Sequence, residues 1–273
     1  MTDSSRTQTS TEAKCTEHVV AFVDLLGCAE KIRKNSVGTL NQIRNLYIQA
    51  KEMCHTGRMA ENCSKIKIRI FSDNILFAYE TNRQRSHETD VFGPICIMTQ
   101  YLGVFQSLAL SRNLLLRGGL TIGDLYVDDI LVWGQGLLRA YELENEIAIY
   151  PRIVVDSCII HAIDKTIFTG GNKFDVCKIG QDTDLTMFID YLKCYKNRGV
   201  NLDPLITNAF NSLVKIDSGV EPNRIWQNIA WQINYMNKYL SFDLWKNDGE
   251  NSSPASPASS LREAKMPGQT SKK

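Results

Sequence analysis

The order of the periodic segments predicts an α+β fold: a ferredoxin-like sheet rich in antiparallel pairs, with helices on one face. Within 65–71, isoleucines alternate with basic residues, which is the period-two pattern of a half-buried strand. A second β-prone run, 75–79, follows the turn residues 72–74, so the two runs predict a hairpin with Asp73 at its tip. Around this hairpin the order is strand, helix, hairpin, helix, strand, which is typical of split βαβ units.

The segments before the hairpin predict one strand and one helix. Residues 1–17 are polar and rich in Ser and Thr, which predicts a disordered start. The apolar run 18–26 predicts the first strand, and its single acid, Asp24, lies near the end. After Gly27, apolar residues recur at steps of three and four within 28–55, which predicts a helix whose apolar face includes Tyr47.

Five elements are predicted between the hairpin and residue 156. In chain order they are a helix at 92–111, strands at 113–122 and 125–132, a helix at 137–149 and a strand at 151–155. Asp128 and Asp129 are expected at a bend. Gly118 and Gly119 lie inside a predicted strand, where glycine often marks a close approach of another backbone.

Beyond residue 156 the pattern predicts a mainly helical extension, 157–245, packed on the same domain. Its expected helices are 157–165, 183–196, 203–216 and 223–240. The last segment, 246–273, is rich in Ser, Pro, Lys and Gly, which predicts a flexible tail.

The composition is that of an ordinary globular protein. The chain has 273 residues, of which 43% are hydrophobic and 22% charged. A net charge of +1 gives no overall field that would attract nucleic acid or an anionic membrane, so neither is expected as a partner. Eight scattered cysteines without a Cys-x-x-Cys pair, and no secretory signal, predict reduced thiols and a cytoplasmic location.

Asp24 and Asp73 are the candidate metal ligands. A lone carboxylate in an apolar strand is costly to bury unless a positive charge meets it. If the strand of Asp24 lies beside the hairpin, the two acids converge and can hold a divalent cation, which prefers oxygen ligands. The alternative is two solvated turn aspartates; two acids at the edges of β segments favour the metal site.

Four short segments form a pattern that points to a family. They are FVDLLG at 22–27, FSD at 71–73, RGGLTIG at 117–123 and Trp133-Gly134 at the start of a helix. Together they resemble the class III nucleotidyl cyclases, and most closely the bacterial pyrimidine cyclases of the Pycsar anti-phage system. The resemblance covers about residues 18–156, which it implies to be the catalytic domain.

The resemblance implies a metal-dependent cyclase that forms 3′,5′-cyclic UMP from UTP, or cyclic CMP from CTP, with release of pyrophosphate. Asp24 and Asp73, with the backbone carbonyl of Leu25, would hold two divalent ions, Mn²⁺ or Mg²⁺. Backbone amides of Leu26, Gly27 and Cys28 at a helix N-terminus would bind phosphate. The family's catalytic unit implies a homodimer with its active sites at the interface. The further candidates for substrate binding are Phe22, Tyr47 and Arg69.

The sequence departs from the family's pattern at four positions. Arg69 stands four residues before Asp73, where purine cyclases have a Lys or Glu that reads the base. Leu131 replaces a residue that contacts purines, Leu138 replaces an Asn that orients the ribose, and Glu142 replaces an Arg that stabilises the transition state. These differences argue against purine specificity. They leave stabilisation of developing charge to one of three other arginines, whose guanidinium can donate twice to phosphate oxygens; these are Arg117, Arg139 and Arg69.

Each of these assignments has a structural alternative. Tyr47 could simply pack in the core, Arg117 could pair with a carboxylate across the sheet, and Arg139 could form a helix-surface ion pair with Glu142. For the whole chain, the alternatives are a catalytically degenerate cyclase fold that acts as a nucleotide sensor or dimerisation module, and a purine cyclase.

Overall fold

The structure is a computed structural model that describes residues 13–54, 60–81, 91–166, 169–193, 203–213 and 222–240. Of the disordered start predicted for 1–17, residues 1–12 lie outside the described residues. The flexible tail predicted for 246–273 lies entirely outside them.

The first part of the chain forms the predicted split βαβ unit. Its elements are β1 (Thr16–Leu25), α1 (Cys28–Cys54), α2 (Ala60–Cys63), β2 (Lys67–Phe71), β3 (Asn74–Glu80), α3 (Phe92–Leu110) and β4 (Leu116–Val127). β1 lies between β3 and β4 and is antiparallel to both, while β2 pairs antiparallel with β3 at the sheet edge. The resulting order, β2-β3-β1-β4, is ferredoxin-like, and the predicted α+β fold is confirmed.

Apolar side chains cover both faces of this sheet. From β1, Val19, Ala21, Val23 and Leu25 point to the face covered by α1 and α3. Val20 and Phe22 alternate with them and point to the opposite face, where they join a cluster with Leu137 and Ala140. These two residues belong to α4 (Gln135–Glu142). The prediction that the helices lie on one face is therefore wrong, because α4 covers part of the second face.

Glycines in β4 let α4 pack directly on the sheet. A Cβ atom on Gly119 would lie 2.4 Å from the carbonyl oxygen of Ala140, and one on Gly123 would lie 2.8 Å from the Cα of Gly136. Larger residues at either position would push the helix away from the strand. The close backbone approach expected for the glycine-rich strand is thus found at Gly119, on the face of α4.

Three elements between 113 and 155 differ from the predicted ones. The strands expected at 113–122 and 125–132 are one strand, β4, followed by the bend at Asp128 and Asp129 and by a short β5 (Val132–Trp133). The helix expected at 137–149 begins two residues earlier as α4 and changes into a π-helical turn, Leu143–Ile147. β6 (Ile153–Val155) then runs parallel to β4.

The region after residue 156 completes the sheet and also adds helices. Its elements are α5 (Ser157–Lys165), α6 (Lys173–Val176), β7 (Ile179–Gln181), β8 (Met187–Ile189), α7 (Asp203–Leu213) and α8 (Pro222–Asn237). β8 pairs with β6 and β7 pairs with β8, so the sheet continues as β4-β6-β8-β7. The helix predicted at 157–165 is confirmed. The helix predicted at 183–196 is wrong in its described part, because β8 occupies the middle of that segment.

A buried arginine explains why residues 179–189 form a hairpin. Arg152, which is 1% exposed, donates to the carboxylates of Asp182 and Asp184. These carboxylates also accept from the amides of Thr183 and Thr186, as Asp side chains commonly do in turns. The ion pairs therefore hold the β7–β8 turn against β6.

Candidate active site

Asp24 and Asp73 lie side by side at one end of the sheet. Asp24 pairs in register with Asn74, and Asp73 directly precedes Asn74 in the β2–β3 turn. The amide of Leu25 donates to the backbone oxygen of Asp73 over 3.1 Å, which fixes the turn against the end of β1. The structure thus brings together two acids that are 49 positions apart in the numbering of the chain.

The surroundings of Asp24 act on its charge in opposite directions. Burial raises the pKa of Asp24 most strongly, and the nearby carboxylate of Asp73 raises it further. The guanidinium of Arg117 lowers it through a hydrogen bond of 3.1 Å from Nε to Oδ2. The balance leaves the pKa of Asp24 above its usual value, so Arg117 offsets the effect of burial on Asp24 only in part.

The residues that follow Asp24 lead into α1 beside both acids. Burial raises the pKa of the Cys28 thiol, and the charges of Asp73 and Asp24 raise it further, so this thiol stays protonated at neutral pH. Gly27 and Cys28 lie at the N-terminus of α1, where the first amides have no acceptor within the helix.

The amide of Leu26, which the sequence suggested as a phosphate donor, already has an acceptor within the protein. This amide donates to the backbone oxygen of Leu115 over 2.9 Å, in the segment that leads into β4. The bond continues the β1–β4 ladder by one residue beyond Leu25. Of the three amides considered from the sequence, only those of Gly27 and Cys28 remain candidates.

Arg117 lies between two carboxylates. Its Nε is 3.1 Å from Oδ2 of Asp24 and 2.7 Å from Oε1 of Glu144, and its side chain is 15% exposed. The pairing with a carboxylate across the sheet, considered above as an alternative, is what the structure contains. Both contacts are made through Nε.

Glu144 was missed by the reasoning from sequence. It is buried in the π-helical turn that follows α4, and its carboxylate points at Arg117. Glu142, Glu144 and Glu146 alternate along this segment and are indistinguishable by residue type. Only the irregular turn, a local geometry frequent at functional sites, selects which of them points inward.

Arg69 and Arg139 are engaged away from the two acids. Arg69 donates through Nε and Nη2 to the backbone oxygen of Asp128, and through Nη2 to Oδ1 of Asp129, at 2.6–2.8 Å. It therefore binds the bend after β4. The base contact expected for Arg69 has no support in the geometry of a single chain.

Arg139 forms a two-pronged ion pair with Asp156, at 2.9 and 3.0 Å. Asp156 also accepts from Thr121, which lies four residues along β4 from Arg117. At about 3.3 Å per residue, that separation is roughly 13 Å. The helix-surface pair with Glu142 is present as well, at 3.3 Å. The catalytic role expected for Arg139 is thus not supported within one chain.

The two aromatic candidates lie on different sides of the sheet. Phe22 is on the same face as Asp24 and packs edge-on against Tyr141 of α4, with ring centroids 5.7 Å apart. Tyr47 is half-buried on α1, which covers the opposite face. The structure therefore does not bring Tyr47 to the side of Asp24.

The donor set beside Arg117 fits a hard divalent cation. Carboxylate and backbone oxygens are the ligands that Mg²⁺ and Mn²⁺ prefer, and two neighbouring acids with only partial compensation attract positive charge. Within the described residues, no three His, Cys, Asp or Glu side chains form a group that could hold a metal ion. Protein carboxylates for an ion at this site would thus come from Asp24 and Asp73.

An apolar surface lies on the side of the sheet that carries Asp24, but mostly towards its other end: Trp133 pairs with Tyr126, nine residues along β4 from Arg117. We use this name for five exposed residues of the β4–β5 bend, β5 and α4: Ile130, Leu131, Trp133, Leu138 and Tyr141. Their exposed fractions run from 49% for Tyr141 to 96% for Ile130. α4 packs on the face of the sheet that carries Asp24, so this surface and the acids share one side of the molecule.

Comparison with solved structures finds cyclase domains. The adenylyl cyclase CyaB from P. aeruginosa matches 57% of this chain and 85% of its own, at 14% identity and a TM-score of 0.40. A class III adenylyl cyclase-like ATP-binding protein from Pseudomonas aeruginosa matches 68% of this chain and 41% of its own, at 11% identity and a TM-score of 0.45.

A third similar structure comes from a fungus. The monomeric guanylyl cyclase domain of the RhoGC fusion protein from Blastocladiella emersonii matches 65% of this chain and 96% of its own, at 14% identity and a TM-score of 0.42. No protein-family model matches the sequence, and no curated protein does.

In the parts of the chain that the structure describes, no helix combines the length and the apolar character needed to cross a membrane.

Proposed function

We propose that this chain is a metal-dependent nucleotide cyclase. The observation that carries the proposal is the placement of Asp24 and Asp73 side by side at the end of a ferredoxin-like sheet. In the proposed reaction, the ribose 3′-oxygen of a nucleoside triphosphate forms a bond to the α-phosphorus. The bond to pyrophosphate breaks, and a 3′,5′-cyclic nucleotide remains.

The two acids and the backbone carbonyl of Leu25 would hold two divalent ions, Mn²⁺ or Mg²⁺. When bound, these ions would offset the charge of the triphosphate and favour ionisation of the 3′-hydroxyl. The amides of Gly27 and Cys28, at the N-terminus of α1, would receive phosphate oxygens.

Arg117 is the arginine that best fits stabilisation of the developing charge. It directly contacts Asp24, and its ion pairs with described residues are made through Nε, so its terminal nitrogens can donate to phosphate oxygens. Arg69 is bound to the bend after β4, and Arg139 to Asp156, as described above. Of the three arginines considered from the sequence, Arg117 would therefore take the role of the family's transition-state arginine, because Glu142 stands at that arginine's position.

We further propose that the substrate is a pyrimidine triphosphate, UTP in preference to CTP, and that the product is a messenger in anti-phage defence in the cytoplasm. Support comes from the sequence: the departures at Leu131, Leu138 and Glu142 remove polar groups that the cyclase family uses for purine nucleotides. The resemblance to Pycsar cyclases points the same way.

A homodimer would complete the site. The apolar surface is on the side of the acids, and a second copy of the chain would bury it. Leu131 and Leu138, at positions where the family contacts the nucleotide, belong to this surface. The site of one chain would then be formed together with residues of the partner.

The deciding experiment supplies ATP, GTP, UTP and CTP together with Mn²⁺ and identifies the products by chromatography. We expect cyclic UMP, or cyclic CMP, and pyrophosphate. Cyclic AMP or cyclic GMP would identify a purine cyclase instead. Leu138 and Glu142, which replace the family's Asn and Arg, also favour a second candidate, a nucleotide sensor, which would bind a triphosphate in calorimetry and return it unchanged.

A further inference from the structure

The ion pair between Arg117 and Glu144 has a consequence for Asp24. The same Nε of Arg117 is 2.7 Å from Glu144 and 3.1 Å from Asp24, so the shorter contact is with the glutamate. Both side chains of the Arg117–Glu144 pair are at least 85% buried, where charges interact more strongly than in water. The hydrogen of Nε is donated to Asp24, and Glu144 contacts the same guanidinium as an ion pair, so one arginine is shared by two carboxylates.

Without Glu144, the positive charge of Arg117 would act on Asp24 alone. Asp24, Asp73 and Arg117 would then carry one net negative charge in place of two, and the guanidinium beside Asp24 would oppose the approach of a divalent cation. With Glu144, the Arg117–Glu144 pair is neutral as a whole, and the two acids at the strand end keep a net negative charge. The cation site at Asp24 therefore depends on Glu144, which balances the charge of Arg117.

We propose that Glu144 is a positioning residue of this site, which holds Arg117 and draws its charge away from Asp24 so that Asp24 remains a metal ligand. The proposal rests on the proposed function, because it requires that Asp24 binds a divalent cation. The π-helical turn is the local structure that directs Glu144 inward to this contact.

The test is Mn²⁺ binding to the full chain without nucleotide, measured by titration calorimetry and by loss of the free Mn²⁺ electron-spin signal. Glu144→Gln keeps the side-chain shape and an acceptor oxygen but removes the charge. We expect this change to weaken Mn²⁺ affinity about 10-fold, as outer contacts of metal ligands commonly do. The double variant Arg117→Met/Glu144→Gln removes both charges and should restore affinity to within about 3-fold of wild type.

Glu146→Gln is the matched control, because Glu146 is an exposed acid of the same turn. It should bind Mn²⁺ as wild type does. Thermal unfolding of each variant shows whether it is folded. If Glu144→Gln does not fold, Arg117→Gln tests the opposite change: loss of the cation should tighten Mn²⁺ binding.

The outcomes separate this proposal from the proposed function. Unchanged Mn²⁺ affinity in folded Glu144→Gln, or a loss that the double variant does not restore, overturns the role of Glu144 and leaves the metal site standing. Equal binding by Arg117→Gln and wild type does the same. Absence of Mn²⁺ binding by the wild-type chain overturns both.

Discussion

Asp24 is partly buried near a second acid, and at the residue scale the charges around it determine its role. Asp73 lies across the β1–β3 ladder, Arg117 across the β1–β4 ladder, and Glu144 behind Arg117. A carboxylate held in this way is neither a solvated turn residue nor one half of a simple ion pair. The arrangement instead suits an ion that carries more than one positive charge.

Replacing either acid by its amide should abolish cyclisation without unfolding the chain. Asp24→Asn and Asp73→Asn each remove a metal-binding charge, so we expect product formation to fall by at least about 100-fold. The measurement is pyrophosphate release with Mn²⁺ and the triphosphate that the wild type consumes. Asp124→Asn, an exposed acid of β4, is the control and should retain activity. Equal rates for wild type and both site variants would contradict the proposed function.

At the scale of elements, two contacts hold parts of the fold on the sheet: α4 on β4, and the β7–β8 turn on β6. The first requires glycine, because the Ala140 backbone and the Leu143 side chain leave no room for a Cβ at Gly119. The second requires a buried arginine, because Arg152 is the cation that the turn carboxylates share. Neither contact involves the acids, yet the first sets the position of the turn that carries Glu144.

Gly119→Ala should destabilise the protein by displacing α4. The added Cβ would lie 2.4 Å from two atoms of the helical segment, and such overpacking costs about 1–3 kcal/mol. Urea unfolding measures the effect. Gly93→Ala in α3 is the control, since a Cβ there meets nothing within 4 Å and alanine favours a helix by about 0.5–1 kcal/mol over glycine. A Gly119→Ala variant as stable as wild type would contradict the packing described.

The β7–β8 turn should make the protein sensitive to acid. Hydrogen bonds from Arg152 lower the pKa of Asp184 to about 2, below its ordinary value. A lowered pKa means that ionised Asp184 stabilises the fold above about pH 4, and that this contribution is lost as the pH falls towards 2. Asp184→Asn should therefore flatten the fall of the unfolding midpoint between pH 4 and pH 2.5, measured in urea. An unchanged slope would show that the ion pair does not persist in solution.

At the scale of the whole molecule, α1 and α3 cover one face of the sheet, and the described residues cover the other face only in part. α4 and the π-helical turn cover β4 and β1, and the apolar surface lies on their exposed side. Exposed clusters of aromatic and aliphatic side chains are typical of association sites. The proposed homodimer would bury this surface against a second copy and complete the site from both chains.

Leu138→Glu should weaken the dimer and, with it, activity. The change places a charge in the centre of the apolar surface, where Leu138 is 62% exposed in the single chain. Sedimentation over a range of protein concentrations should show dissociation at concentrations where the wild type is dimeric. Leu40→Glu is the control, because Leu40 is equally exposed but lies on α1. A wild-type chain that sediments as a monomer and is active would rule out the dimeric site.

Local sequence determined the strand–helix order, the hairpin with its acid and the apolar strand that ends near Asp24, because side-chain period and turn residues act over a few positions. It could not show which of Glu142, Glu144 and Glu146 points inward. Nor could it show that the amide of Leu26 donates to the backbone oxygen of Leu115. It also misassigned 183–196, since the partner of that turn, Arg152, is 30 residues from Asp182. Burial, charge sharing and ion pairing depend on which strands become neighbours, and that is decided only when the whole sheet assembles.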